Sequence, residues 1–194
     1  DFRALKKINP DIVAWIRITD TSIDYPVVQG NDDSYYLTHT FKKTEHVAGA
    51  IFLDSDNNAD FSDDKNIIYG HNMKDGSMFR GLRNFLDDVF LKEHYILYLY
   101  LPDEGVWIFV IVKCEYTPAD GDAFLLGTQE EVPTILLSTC GTDASKRLVV
   151  WCERQEENGE QIEYSDEETE VQEATDDLAF LDGEFVENET HDFI

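Results

Sequence analysis

The sequence predicts a mainly β protein: an eight-stranded β-barrel with a few peripheral helices. Three observations point there. Eight short apolar runs, rich in β-branched and aromatic residues, are spread over residues 13–153. Clusters of Gly, Pro, Asn, Asp and Ser separate them, which is the punctuation of turns between short strands. No apolar run approaches the roughly 18 residues that a membrane-crossing helix needs. An open sheet of this many strands would expose two unpaired edges, and closure removes both.

Taken in order, Phe2 to Ile8 reads as the end of a helix. Asn9-Pro10 stops it, because the residue before a proline is pushed out of the helical region. Strand runs follow at Val13–Ile18, Ile23–Val28, Ala50–Leu53, Asn66–Tyr69, Tyr95–Leu101, Val106–Tyr116, Thr134–Thr139 and Leu148–Glu153. Between them a short helix is expected around Asp32–Leu37. A firmer one is expected from Ser77 to Phe85, with Met78, Leu82 and Phe85 on one face.

Length and charge bound the function. A chain of 194 residues makes one domain, or one domain with an appendage. The formal charge of -26 is unevenly placed: residues 155–194 hold 16 acidic side chains and no Lys or Arg, against 25 acidic and 15 basic in residues 1–154. The boundary between a folded domain, 1–154, and an acidic extension, 155–194, is drawn there. Such a balance argues against nucleic acid as a partner, since that needs a basic footprint. It is compatible with a cationic amine, although acidic surfaces also simply confer solubility.

The chemistry gathers in the segment 136–151, Leu-Leu-Ser-Thr-Cys-Gly-Thr-Asp-Ala-Ser-Lys-Arg-Leu-Val-Val-Trp. Two apolar runs joined by a polar connection read as a hairpin, with Cys140 ending one strand and Arg147 opening the next. A fixed positive charge favours the thiolate, which is the nucleophilic form. Guanidinium donors can also hold a developing oxyanion. A proton shuttle is still required, and His71 stands in a comparable place, after the run Asn66-Ile-Ile-Tyr-Gly. Against this, a lone cysteine at a strand end is commonly a small buried hydrophobe, and a lone loop histidine is commonly inert. The common placement of all three where strands give way to loops favours the functional reading.

The three cysteines, Cys114, Cys140 and Cys152, leave one thiol unpaired if any bridge forms. Cys114 and Cys152 could be bridged or could be separate buried thiols. No metal or cofactor is expected, because the spacing of His71 and the cysteines matches no zinc pattern. The loop Asp54-Ser-Asp-Asn-Asn-Ala-Asp60 alternates carboxylates as a calcium loop does. It lacks the glycine of the sharp turn, at Ala59, and the closing glutamate, at Lys65.

Several blocks together make the sequence recognisable: Leu137-Ser-Thr-Cys140, Arg147-Leu-Val-Val150, Tyr69-Gly-His-Asn-Met73, Ile8-Asn-Pro-Asp-Ile-Val-Ala-Trp-Ile16, Ile23-Asp-Tyr-Pro-Val-Val-Gln29, Tyr35-Tyr-Leu37, Gly49-Ala-Ile-Phe-Leu-Asp54 and Gly76-Ser-Met-Phe79. The chain resembles the sortases, the cysteine transpeptidases of Gram-positive cell surfaces, and among them class B, over about residues 5–154. The resemblance implies the eight-stranded sortase barrel and a catalytic domain in residues 1–154. It also implies that His71, Cys140 and Arg147 are catalytic, and that Ser138, Thr139 and Asn72 face the substrate. The implied reaction cleaves the C-terminal sorting signal of a secreted surface protein after Thr, through a thioester, and passes it to an amine of the peptidoglycan cross-bridge. A pilin lysine is the alternative acceptor, and a tail-inhibited cysteine peptidase or an inactive scaffold is the alternative to transfer. The expected place is the outer face of the cytoplasmic membrane of a Gram-positive bacterium, held by an N-terminal anchor preceding Asp1.

Two stretches depart from the family pattern. Class B relatives typically carry a substantial helix between the sixth and seventh strands. Here residues 117–133 are punctuated by Pro118, Gly121, Gly127 and Pro133, which leaves little room for one. Asp120 and Asp122 could touch substrate there or be solvated. In the extension, residues 166–180 have helical potential behind Ser165, with Val171, Leu178 and Leu181 as a sparse apolar stripe. Its expected states are a mobile acidic tail, docking on the barrel, or contact with a partner.

Overall fold

A computed structural model describes residues 1–102, 105–140 and 145–155, without the side chain of Cys140. The expectations for the extension beyond residue 155 lie outside the described residues, as does the connection through residues 141–144.

Eight strands close into a barrel: β1 (Ile12–Ile18), β2 (Asp24–Val28), β3 (Ile51–Leu53), β4 (Lys65–Tyr69), β5 (Ile96–Leu101), β6 (Gly105–Pro118), β7 (Thr134–Cys140) and β8 (Lys146–Arg154). Their order around the barrel is β1-β2-β3-β4-β7-β8-β6-β5. Two neighbouring pairs, β2 with β3 and β4 with β7, are parallel; the others are antiparallel. All eight strands fall where the apolar runs place them, with ends shifted by a few residues.

Strand patterning records which faces are covered. In β1 and β5 buried and part-exposed residues alternate, the signature of one face on the core and one toward solvent. β3 and the first four residues of β4 are buried without interruption. Their inner residues, among them Ile51, Leu53 and Ile68, join Ile135, Leu137, Leu148 and Val150 in the barrel core. Their outer residues lie under other segments: Phe52 packs with Tyr36, Val28 and the helix α1 (Phe2–Ile8), and Ile67 packs with Leu136 and Val149 beneath residues 123–126.

α1 ends as expected, with Asn9 extended at φ −148, ψ 115 before Pro10. The helix expected over Ser77–Phe85 is instead a 3-10 helix, Phe79–Leu86. A 3-10 turn holds three residues, so side chains three apart eclipse. The buried row within the helix is therefore Phe79, Leu82 and Phe85; Met78, just before the helix, is buried in the same core, as expected. The segment near Asp32 is a single 3-10 turn, Tyr35–Leu37, with the Asp32 carboxylate accepting from the Ser34 and Tyr35 amides. A short helix α2 (Asp88–Glu93) follows the longer 3-10 helix.

Gly70, between β4 and His71, is required by close packing. A Cβ there would lie 2.4 Å from Cδ1 of Ile51 and 2.8 Å from Cγ of Phe79. The ring of Phe79 cannot retreat, because it is buried in the core. Gly70→Ala is expected to destabilise the fold by about 1–3 kcal/mol, the usual cost of overpacking. A melting temperature unchanged from the parent would show that the neighbours yield freely.

Candidate active site

Three adjacent strands bring the candidate residues to one end of the barrel. β4 runs beside β7 with Tyr69 opposite Ser138, and the Gly70 amide donates to the Ser138 carbonyl at 3.1 Å. The ladder thus delivers His71 beside the last residues of β7. On the other side of β7, Cys140 is opposite Arg147 of β8. Neighbouring strands lie about 4.8 Å apart. The backbones at 71, 140 and 147 therefore span two strand spacings at one rim.

Alternation says which face they share. Ile67, Leu136 and Val149 form an apolar row on the outside of the barrel. Two residues on from Ile67 and Leu136, Tyr69 and Ser138 share that face, with Ser138 opposite Val149, and Arg147 is two residues on from Val149 along β8. Position 140 has the same parity as 136 and 138. Thr139 belongs to the other row, opposite Leu148 and in line with the inward-facing Ile135 and Leu137. Ser138 and Thr139 are 1% and 2% exposed, and neither hydroxyl has a hydrogen-bond partner among the described residues.

His71 is held by a contact that sequence reasoning missed. Its Nε2 lies 2.8 Å from the carbonyl oxygen of Leu37, in the 3-10 turn Tyr35–Leu37. A carbonyl can only accept, so Nε2 carries the hydrogen in this contact. The blocks Tyr35-Tyr-Leu37 and Gly-His-Asn were both visible in the sequence; their meeting across 34 residues was not. Asn72 turns its side-chain oxygen to Arg80, whose Nη1 donates at 3.1 Å.

A second contact missed from sequence lies in the outer row. The Tyr69 hydroxyl donates to Asp54 Oδ2 at 2.9 Å. Burial pushes the Asp54 carboxyl above its ordinary range, and pushes the Tyr69 phenol up as well. The Asp54 charge adds to the rise at Tyr69, and Arg147 acts in the opposite sense. Asp54, read from sequence as the first residue of an acidic loop, is mostly buried and belongs to this pair. The rest of that loop is tied to its neighbours: Asn57 donates to Asp63 and accepts from the Ile67 amide, Asp63 also accepts from the Asn58 amide, and the Ser55 amide donates to Asp33.

The wall beside the row is the β6–β7 connection, in which the sole helical element among the described residues is the 3-10 turn Asp122–Phe124. Ala123, Phe124 and Leu126 cover Ile67 and Leu136. Lys65, 8% exposed on β4, fastens this wall through Nζ, 3.0 Å from Glu130 Oε1 and 3.1 Å from the Leu125 carbonyl. The Thr128 hydroxyl and the Lys65 ammonium hold the Glu130 carboxyl below its ordinary range, against a smaller opposing effect of burial. A lowered carboxylate stabilises the fold above the unfolded-state titration range, and that contribution disappears as pH falls through the folded value. Lys65→Met should cost about 1–2 kcal/mol, moderated because Glu130 keeps partial access to water. The acid side of the stability profile should flatten with it. Thermal melting against pH in both proteins checks this, and parallel profiles would deny the anchor its role.

Cys114 and Cys152 are unbridged thiols. Cys114 pairs across β6 and β8 with Val150, two residues from Cys152, a diagonal placement unsuited to a disulfide. Burial pushes the Cys114 thiol up to about 12 and raises Cys152 further. Neither has the ionisation of a nucleophile at neutral pH.

Comparison with known proteins agrees with this architecture. The family model for the sortase domain matches residues 16–155. Over 94 residues the chain is 52% identical to Sortase B of Listeria monocytogenes, covering 48% of this chain and 38% of that protein. Over 96 residues it is 38% identical to Sortase B of Staphylococcus aureus, covering 50% and 39%. The matched part thus spans well under half the length of these curated relatives. Among solved structures, Clostridium perfringens sortase B superposes with a TM-score of 0.71 at 28% identity, covering 80% of this chain and 100% of that one. Staphylococcus aureus sortase B superposes with a TM-score of 0.72 at 26% identity, covering 80% and 86%. With an eight-stranded closed barrel, a Cys–Arg pair across β7 and β8, and a histidine at the end of β4, the chain belongs to the sortase family, in class B.

Proposed function

We propose that residues 1–154 form a cysteine transpeptidase domain that cleaves a C-terminal sorting signal after threonine and joins the carbonyl to an amine of peptidoglycan. The observation that carries this reading is the register of β4, β7 and β8, which sets positions 71, 140 and 147 side by side at one rim. Staphylococcus aureus sortase B has been solved as a substrate complex, and a sortase B has been solved with triglycine; both support a peptide donor and an amine acceptor here. The setting proposed is the cell surface of a Gram-positive bacterium.

In the proposed mechanism the Cys140 thiolate attacks the threonine carbonyl carbon, and Arg147 donors hold the resulting oxyanion. The carbon–nitrogen bond breaks as His71 gives its proton to the departing amine, leaving a thioester. An incoming amine then adds to the thioester carbonyl and gives a proton to His71, and the thiolate leaves. Ser138 forms the pocket floor, Thr139 shapes the strand end from inside the barrel, and Asn72 borders the substrate from the loop after His71. The wall of residues 123–126 and the row beneath it keep water from the thioester.

Mass spectrometry of the protein with a panel of sorting-signal peptides, with and without triglycine, diaminopimelate-type amines or a pilin-like lysine peptide, tests the proposal. The expected result is an acyl adduct at Cys140 that yields an aminolysis product with one class of amine. Hydrolysis alone, whatever amine is added, would make the protein a plain cysteine peptidase. His71→Ala should lower turnover by about a hundredfold, the usual scale of acid–base assistance. A loss under about tenfold would point to another proton donor.

A further inference from the structure

A cavity adjoins the loop that follows His71, through Gly76. The turn between β1 and β2 (Asp20, Thr21, Ser22) and the 3-10 helix Phe79–Leu86 enclose this open cavity of about 610 Å³, lined also by Gly76, Arg80, Gly81, Arg83 and Asn84. Its size falls within the range of about 300–1,000 Å³ typical of small-ligand clefts.

The helix type explains what the cavity presents. With three residues per turn, the spacing that buries Phe79, Leu82 and Phe85 in one row also stacks Arg80 over Arg83 in another. Two like charges so placed repel each other, at a cost comparable to other like-charged neighbours on a helix. In a chain with 41 acidic against 15 basic side chains, a carboxylate would be the expected neutraliser. Among the described residues, no carboxylate forms an ion pair with either arginine. Asp20, the acid at the cavity edge, is engaged by His94 at 3.0 Å. The hydrogen bond that Arg80 makes is to the neutral Asn72. Both arginines are half-buried, so an arriving anion would meet them partly out of water, where charge-assisted hydrogen bonds are strongest.

We propose that this cavity is an oxyanion-binding subsite, in which Arg80 and Arg83 together hold a phosphoryl or carboxylate group. Its occupant is an anionic substrate or effector separate from the peptide held at the β4–β7–β8 rim. The site adjoins the catalytic loop through one bond: Arg80 reaches Asn72, the residue after His71. An anion that draws Arg80 toward Arg83 lengthens that bond, so occupancy is felt beside the histidine.

The test is titration of the full chain by calorimetry and by amide chemical shifts, with inorganic diphosphate and with citrate as separate probes and sodium chloride at matched ionic strength as control. Saturable binding is expected for at least one probe, with shifts at Arg80, Arg83 and Asn72. Preference between the two probes identifies phosphoryl or carboxylate as the group recognised. Arg83→Gln should weaken binding by about tenfold, and the pair Arg80→Gln with Arg83→Gln should weaken it further, while Arg83→Lys retains part of it. Arg83→Lys also guards against a folding defect, since it keeps the charge and the side-chain stem. No saturable binding up to about 10 mM of either probe, a response reproduced by chloride, or affinity unchanged in the double variant would overturn the proposal. Because binding is read without turnover, the outcome is independent of whether the transfer reaction occurs.

Discussion

Cys140→Ala is expected to abolish acyl-enzyme formation completely while leaving the melting temperature within a few degrees of the parent. The strand that carries position 140 is held by backbone pairing to β4 on one side and β8 on the other, and alanine preserves both ladders. Loss of one sulfur removes little volume. No other thiol can stand in: Cys152 is fully buried, and the Cys114 thiol, pushed up to about 12, is protonated at neutral pH. Intact-mass measurement after incubation with sorting-signal peptides reads the adduct directly. An adduct persisting in the alanine variant would place the nucleophile elsewhere and undo the assignment.

Arg147→Lys is expected to lower kcat by about 100–1,000-fold, the scale seen when an oxyanion donor is removed, with a smaller change in KM. The variant keeps the positive charge at the start of β8. If Arg147 served only to favour the thiolate, lysine would suffice, because a point charge within a few ångströms does that. A guanidinium offers two donors in a fixed plane, and an ammonium on a flexible stem does not. Rate measurements with a single peptide and amine pair therefore separate the two roles. Turnover near that of the parent would assign Arg147 to thiolate stabilisation alone.

Much of the architecture was legible because strands announce themselves locally. Each of the eight apolar runs carries β-branched or aromatic residues between turn formers, and all eight became strands. The reading of 77–85 was less successful for a specific reason. Periodicities of 3.0 and 3.6 residues diverge by only about half a residue per turn, so three apolar positions cannot separate a 3-10 from an α-helix. Met78, Leu82 and Phe85 are all buried as expected, but the row within the helix begins at Phe79. That difference matters, because it also stacks Arg80 over Arg83.

At the site, the sequence by itself determined the kinds of group available: a thiol, an imidazole and a guanidinium, each where an apolar run meets a loop. It also determined the family, through blocks spread over most of residues 5–154. Tertiary structure alone decided which partners hold the histidine, the outer row and the wall in place. Leu37 supplies the carbonyl for His71, Asp54 reaches Tyr69, and Lys65 fastens the wall at Glu130, across separations of 34, 15 and 65 residues. The physical reason is that a backbone carbonyl, an acidic loop residue or a strand lysine has no distinctive local pattern. Such partners become specific only when barrel closure sets the register between strands that are distant in the chain.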